Sequence, residues 1–204
     1  MNDTIAINLL FFLFLRSFMR NKILPLGALT NWISETEPLS CKPNIASWLF
    51  DHNSLTKKLE SQFNDFYVEV KQQVNIKPNT QLSPLFNEET KILVREVFLH
   101  CEHKPVIFAQ TEIPFSTLTE QQSTLAEIGE QSLGNILFQD PSMLRGQIEV
   151  TEFEIGSPFH QLATDLHQPV EHSLWARRSL FYINNKPLLV TELFLPASGI
   201  YNDV

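Results

Sequence analysis

The spacing of apolar positions first changes along this chain near Phe66. Ahead of it the spacing is helical: Leu55 and Leu59 share a face four residues apart, directly after Ser54, whose hydroxyl suits a helix N-terminus. That predicts a helix over Leu55–Gln62, with a shorter one over 45–50. The lead-in over 25–43 reads as extended or turn-rich, with a helical piece near 29–34. From Phe66 the period is two, and Phe66, Val68 and Val70 alternate with polar residues as one face of a half-buried strand does.

Beyond a loop carrying Pro78 and Pro84, the runs 91–101 and 105–113 are rich in β-formers and joined by Glu102, His103 and Lys104, a hairpin signal. Ser116 is placed to cap an amphipathic helix ending at Gly129, and a short helix is expected over 133–138, before Pro141. Three more strands follow. The first, 147–155, is expected to be bulged, because its apolar residues change parity between Val150 and Phe153. The other two, 174–183 and 188–195, are connected through the tight-turn sequence Asn184, Asn185, Lys186. Strands joined by hairpins, with helices gathered at the start and middle, predict an α+β fold. The expected form is a single domain over 25–204, with a mainly antiparallel sheet of about six strands.

Composition narrows the chemistry. The 204 residues suit one well-buried domain, and 16 Phe supply large groups for its core. A net charge of -8 argues against nucleic acid as a partner, and means that an anionic ligand must be drawn in by individual cations. Cys41 and Cys101 make neither a disulfide framework nor a zinc spacing, so two reduced thiols and the cytoplasm are expected. The six histidines form no metal motif, and no glycine falls in a phosphate-binding pattern. Residues 5–15 form an apolar run of about half the length that a spanning helix needs, preceded by Asp3 and followed by Arg16 and Arg20. Residues 1–24 are therefore read as an N-terminal extension without stable membrane insertion. It is an over-called start with Met19 as the natural one, a weak surface anchor, or a helix packed on the domain.

Two charges sit on the wrong face of their strands. The face-mates of Arg95 are Leu93, Val97, Leu99 and Cys101, so its guanidinium is aimed at the core. A buried arginine keeps its charge and needs an anion, and its planar fork suits a carboxylate. Glu192 is the counterpart, flanked on its face by Leu188, Val190, Phe194 and Pro196, company that raises a carboxyl pKa. The two could pair with each other across the sheet, or Glu96 could serve Arg95. Arg177 and Arg178 lie mid-strand on opposite faces, so at least one points inward or spans a mouth.

The run KPLLVTELFLPAS from Lys186 to Ser198, followed by Tyr201, resembles the C-terminal signature of bacterial chorismate lyase. Supporting segments fall in order: Ser54-Leu55-Thr56-Lys57, Leu93-Val94-Arg95-Glu96-Val97, PFSTL from Pro114 to Leu118, Leu133-Gly134 with Leu137-Phe138, and Trp175-Ala176-Arg177-Arg178. The resemblance covers residue 41 to the end. It implies an α+β domain with helices on one side of its sheet and an enclosed pocket that needs no metal or coenzyme. It further implies conversion of chorismate to 4-hydroxybenzoate and pyruvate, the first step of ubiquinone ring supply, by a cytoplasmic monomer. By the same resemblance Arg95 grips the ligand carboxylate, Glu192 meets the ring's oxygen end, and Leu55 and Leu133 bind near flaps over the pocket. A methionine common at the Leu55 position is replaced here, and Gln110 stands where well-known members carry an arginine. The stretch 157–173 is longer than usual. The alternative from another class is a non-catalytic sensor of small aromatic acids with the same general fold, although residues 1–40 do not resemble a basic DNA-binding segment.

Overall fold

The computed structural model describes Leu26, residues 31–79 and residues 83–202. The expected extension over 1–24, and residues 29 and 30 of the helical piece near 29–34, lie outside them. Two hairpins organise the sheet. Strands β3 (Ile92–Cys101) and β4 (Lys104–Pro114) turn through Glu102 and His103, both at positive φ. Strands β7 (Leu174–Ile183) and β8 (Lys186–Phe194) turn through Asn184 and Asn185, again both at positive φ. Two consecutive left-handed residues match the right-handed twist of the strands they join, and asparagine tolerates them well. Each connecting loop is two residues long, with Lys104 and Lys186 already in their strands.

The hairpins meet along β4 and β8, and the antiparallel order is β1-β6-β7-β8-β4-β3-β2, with β5 also pairing β7. Here β1 is Ile33–Ser34, β2 Tyr67–Ile76, β5 Leu144–Arg145 and β6 Glu149–Phe153. The sheet thus has eight strands, not about six. The six long strands are those with a readable period, and the two additions are two-residue pieces too short to carry one.

Four helices are described: α1 (Pro43–Leu49), α2 (Leu55–Gln62), α3 (Leu133–Gln139) and α4 (Pro158–Asp165). They do not all lie on one side. Helices α1 and α2 pack Trp48, Leu49, Leu55 and Leu59 against Val97, Leu99 and Ile107, and α3 packs Leu133 and Leu137 near Leu93, Phe181 and Leu188. The opposite face carries Phe98, Phe108 and Leu193, and α4 covers it with Phe159 and Ala163. Strand β3 is apolar on both faces, so both must be covered. The long stretch over 157–173, which holds α4, supplies this cover.

Three local expectations change. Strand β6 pairs with β7 without a bulge, and its parity change means that Val150 and Phe153 enter the cores on opposite faces. Ile33 and Ser34 are strand rather than helix. Ser116 caps no helix, because its hydroxyl donates to Glu89. Glu120 at φ 55 breaks any helical run there, leaving a 3-10 segment over Glu120–Ala126.

Candidate functional site

Between the two cores of the α1–α3 face lies a pocket of about 560 Å³, its opening included, floored by β3, β4, β8 and β7. Arg95, Glu192, Leu55 and Leu133 all line it. Register fixes the floor. Arg95 pairs with Thr111, and Ala109 pairs with both Val97 and Glu192, so the two charged positions are two strands and two residues apart. At the usual strand spacing and rise that separates their Cα atoms by roughly 12 Å. The two side chains are therefore not partners of each other.

Arg95 is 2% exposed. Its Nη2 donates to the carbonyls of Gly129 at 2.8 Å and Gln131 at 3.3 Å, while its buried Nε donates to nothing. Among the described residues no carboxylate pairs with it. Burial pulls the guanidinium down to about 10, still charged at neutral pH. Glu96, the other partner considered, points to the opposite face and binds Lys71, Gln72 and Gln110. Position 110 is thus turned away from the pocket.

Glu192 has a partner that its face-mates did not reveal. Arg177, directly across on β7, donates from Nε to the carboxylate at 2.6 Å. The apolar setting expected for Glu192 along its own strand is corrected by this cross-strand cation. Arg177 is 1% exposed, and its Nη1 donates to the carbonyls of Trp48, at 2.8 Å, and Asp51, at 2.9 Å. It therefore ties the link between α1 and α2 to the sheet. Arg178 points to the opposite face, where it pairs with Glu149 at 2.7 Å.

Helices α2 and α3 bring their N-termini to the pocket. Ser54 and Ser132 cap them, accepting from the amides of Lys57 and Asn135. Leu55 and Leu133 are the first residues of these helices, and first-turn amides have no acceptor within a helix. The Thr56 and Ser132 hydroxyls bond at 2.7 Å and join the two ends. Gly134 permits this approach: a Cβ there would stand 2.8 Å from Thr56 Oγ1. Tyr201 locks the far end of the floor, accepting from the Trp175 amide and donating to the Phe194 carbonyl.

Arg145 was not foreseen. It comes from the two-residue β5, donates to Ser179 Oγ at 3.0 Å and the Asp51 carbonyl at 3.2 Å, and lies over the Phe181 ring. A strand so short has no period from which its direction could be read. Among the described residues no cluster suited to a metal ion occurs, and no helix is long and apolar enough to cross a membrane.

Known proteins resemble this chain over most of its length. The family model described as chorismate lyase matches residues 28–204. A probable chorismate pyruvate-lyase of Psychromonas ingrahamii is 59% identical over 180 residues, covering 88% of this chain and 97% of the relative. One from Pseudoalteromonas translucida is 37% identical over 155 residues, covering 76% and 85%. Among solved structures, the effector domain of PhnF from Mycobacterium smegmatis superposes with a TM-score of 0.52 at 12% identity, covering 71% of this chain and 90% of that one, a likeness of fold alone. By extent of match and by identity, this chain belongs to the chorismate lyase family.

Proposed function

We propose that the pocket on the sheet converts chorismate to 4-hydroxybenzoate and pyruvate, with Arg95 holding the ring carboxylate and Glu192 meeting the C4 end. The chain is then a carbon–oxygen lyase whose product suits ubiquinone ring supply. The observation that carries this reading is the buried Arg95 guanidinium, which faces the pocket with no carboxylate partner among the described residues. A buried, uncompensated cation costs several kcal/mol, and a ligand carboxylate offsets that cost.

The reaction breaks the C3–O bond and removes the C4 hydrogen, so the ring becomes aromatic. The arm departs as the enolate of pyruvate, and uptake of one proton, matching the one C4 releases, completes pyruvate. Because aromatisation drives the reaction downhill, the protein needs mainly to hold the reactive shape and exclude water. Glu192, fixed by Arg177, accepts a hydrogen bond from the C4 hydroxyl. The first amides of α2 and α3, at Leu55 and Leu133, donate to the ligand from above, and these helix ends close the pocket over it. Such enclosure favours product retention.

Incubating the pure protein with chorismate and separating the products by chromatography tests the proposal. Equal amounts of 4-hydroxybenzoate and pyruvate are expected. 3-Hydroxybenzoate would assign a different elimination, and 4-hydroxybenzoate binding without turnover would assign a sensor.

A further inference from the structure

Of the charged side chains lining the pocket, three are guanidiniums, Arg95, Arg145 and Arg177, and one is a carboxylate, Glu192. Glu192 compensates Arg177. The nearby acids are engaged elsewhere, Asp51 with Lys58 at 2.9 Å and Glu35 with His52 at 2.7 Å. Two cations of the pocket are left for ligand anions, and they stand at opposite ends. Arg95 lies on β3, while Arg145 lies beyond β8 and β7, next to Arg177 through the shared Asp51 carbonyl. The Nη2 groups of Arg145 and Arg177 donate to nothing among the described residues. Burial first, and the neighbouring Arg177 after it, push the Arg145 guanidinium below its ordinary pKa, against the opposing pull of Glu192, Glu35 and Asp51.

We propose that Arg145, seated beside Arg177, is a second anion seat that holds the carboxylate of the enolpyruvyl arm. This rests on the reading above, in which the ring carboxylate lies on Arg95 and C4 lies at Glu192. The arm then leaves the ring at C3, on the side where the two arginines stand. The seat serves the substrate and the departing pyruvate, and has no counterpart in the product's single carboxylate. It therefore separates a dianion from a monoanion and orients the bond that breaks.

The test uses the full chain as wild type, Arg145→Gln and Arg145→Lys, with chorismate kinetics and calorimetric binding of 4-hydroxybenzoate, benzoate and 3-(carboxymethoxy)benzoate. Arg145→Gln should lower kcat/KM for chorismate by at least about thirtyfold, the scale for losing one partner of a desolvated charge pair. Its affinity for 4-hydroxybenzoate and benzoate should stay within about threefold of wild type, and the wild-type preference for the dicarboxylate over benzoate should vanish. Arg145→Lys should recover a large part of both losses. Parallel loss of product and substrate affinity, or an unchanged dicarboxylate preference, overturns the seat. If Arg145→Gln does not fold, a wild type without preference for the dicarboxylate overturns it equally. A wild type that neither turns over chorismate nor binds 4-hydroxybenzoate instead rejects the reading on which the seat rests.

Discussion

At the scale of single residues, the two most informative side chains are those that contradict their neighbours. Arg95 is charged, 2% exposed, and held by carbonyls alone. Replacing it by alanine should raise KM and lower kcat together, reducing kcat/KM by about a hundredfold to a thousandfold. Steady-state kinetics with near-normal constants would remove Arg95 from the site. Strand parity alone made Arg95 legible, because an arginine among leucines and valines has only one face to point to. Glu192 was legible in position but not in company. Its partner Arg177 belongs to a neighbouring strand, and the register joining them depends on how two hairpins pack. Cysteine chemistry is simpler: burial pushes the Cys101 thiol up to about 11, while Cys41 is only partly covered. A disulfide reagent at pH 8 should therefore titrate one thiol quickly in the native protein and the second only on unfolding.

Elements were legible where a period had room to repeat. The six long strands and the capped helix α2 follow from alternation, from runs of β-forming residues and from Ser54, whereas β1 and β5 are two residues each and offered no pattern. The segment after Ser116 failed differently. Its apolar spacing suits a helix, but the buried Thr117 hydroxyl donates to the Pro187 carbonyl and Glu120 adopts a left-handed backbone, so tertiary contacts override the local preference. The junction of α2 and α3 is the element on which the pocket's cover depends, and it turns on Gly134 lying against Thr56. Gly134→Ala should destabilise the fold by about 1–3 kcal/mol through overpacking and weaken 4-hydroxybenzoate binding. In the double variant with Thr56→Ala the Cβ gains space, so the two losses should be less than additive in urea unfolding. Strict additivity would mean that the two helix ends do not depend on this contact.

The molecule as a whole is a sheet with both faces buried, and the face opposite the pocket carries its own misplaced charge. Glu112 on β4 is 1% exposed, amid Phe86, Val94 and Leu189. The Ser83 hydroxyl donates to one of its oxygens, and the other has no partner among the described residues. Desolvation raises its pKa to about 7 from an ordinary 4.5, against the opposing pull of that hydroxyl and of Arg178. The native state therefore binds this proton more tightly than the unfolded chain does. The stabilisation is complete below pH 4.5, declines as pH rises, and is gone once pH passes the native value near 7. A shift of this size corresponds to about 3 kcal/mol across that window. Other groups titrate there too, so the informative quantity is a difference between proteins. Glu112→Gln keeps the shape and stays neutral, and its unfolding free energy should change less than that of the wild type between pH 5 and pH 8. The wild type should lose about 2 kcal/mol more over that range. Parallel profiles for the two proteins would show that Glu112 is ionised, or reached by water, at both ends of it. Because Glu112 faces away from Arg95 and Glu192, the variant should keep the pH dependence of chorismate turnover while losing this part of the pH dependence of stability. Glu112 thus acts on folding from one face of the sheet, while Glu192 lines the pocket on the other.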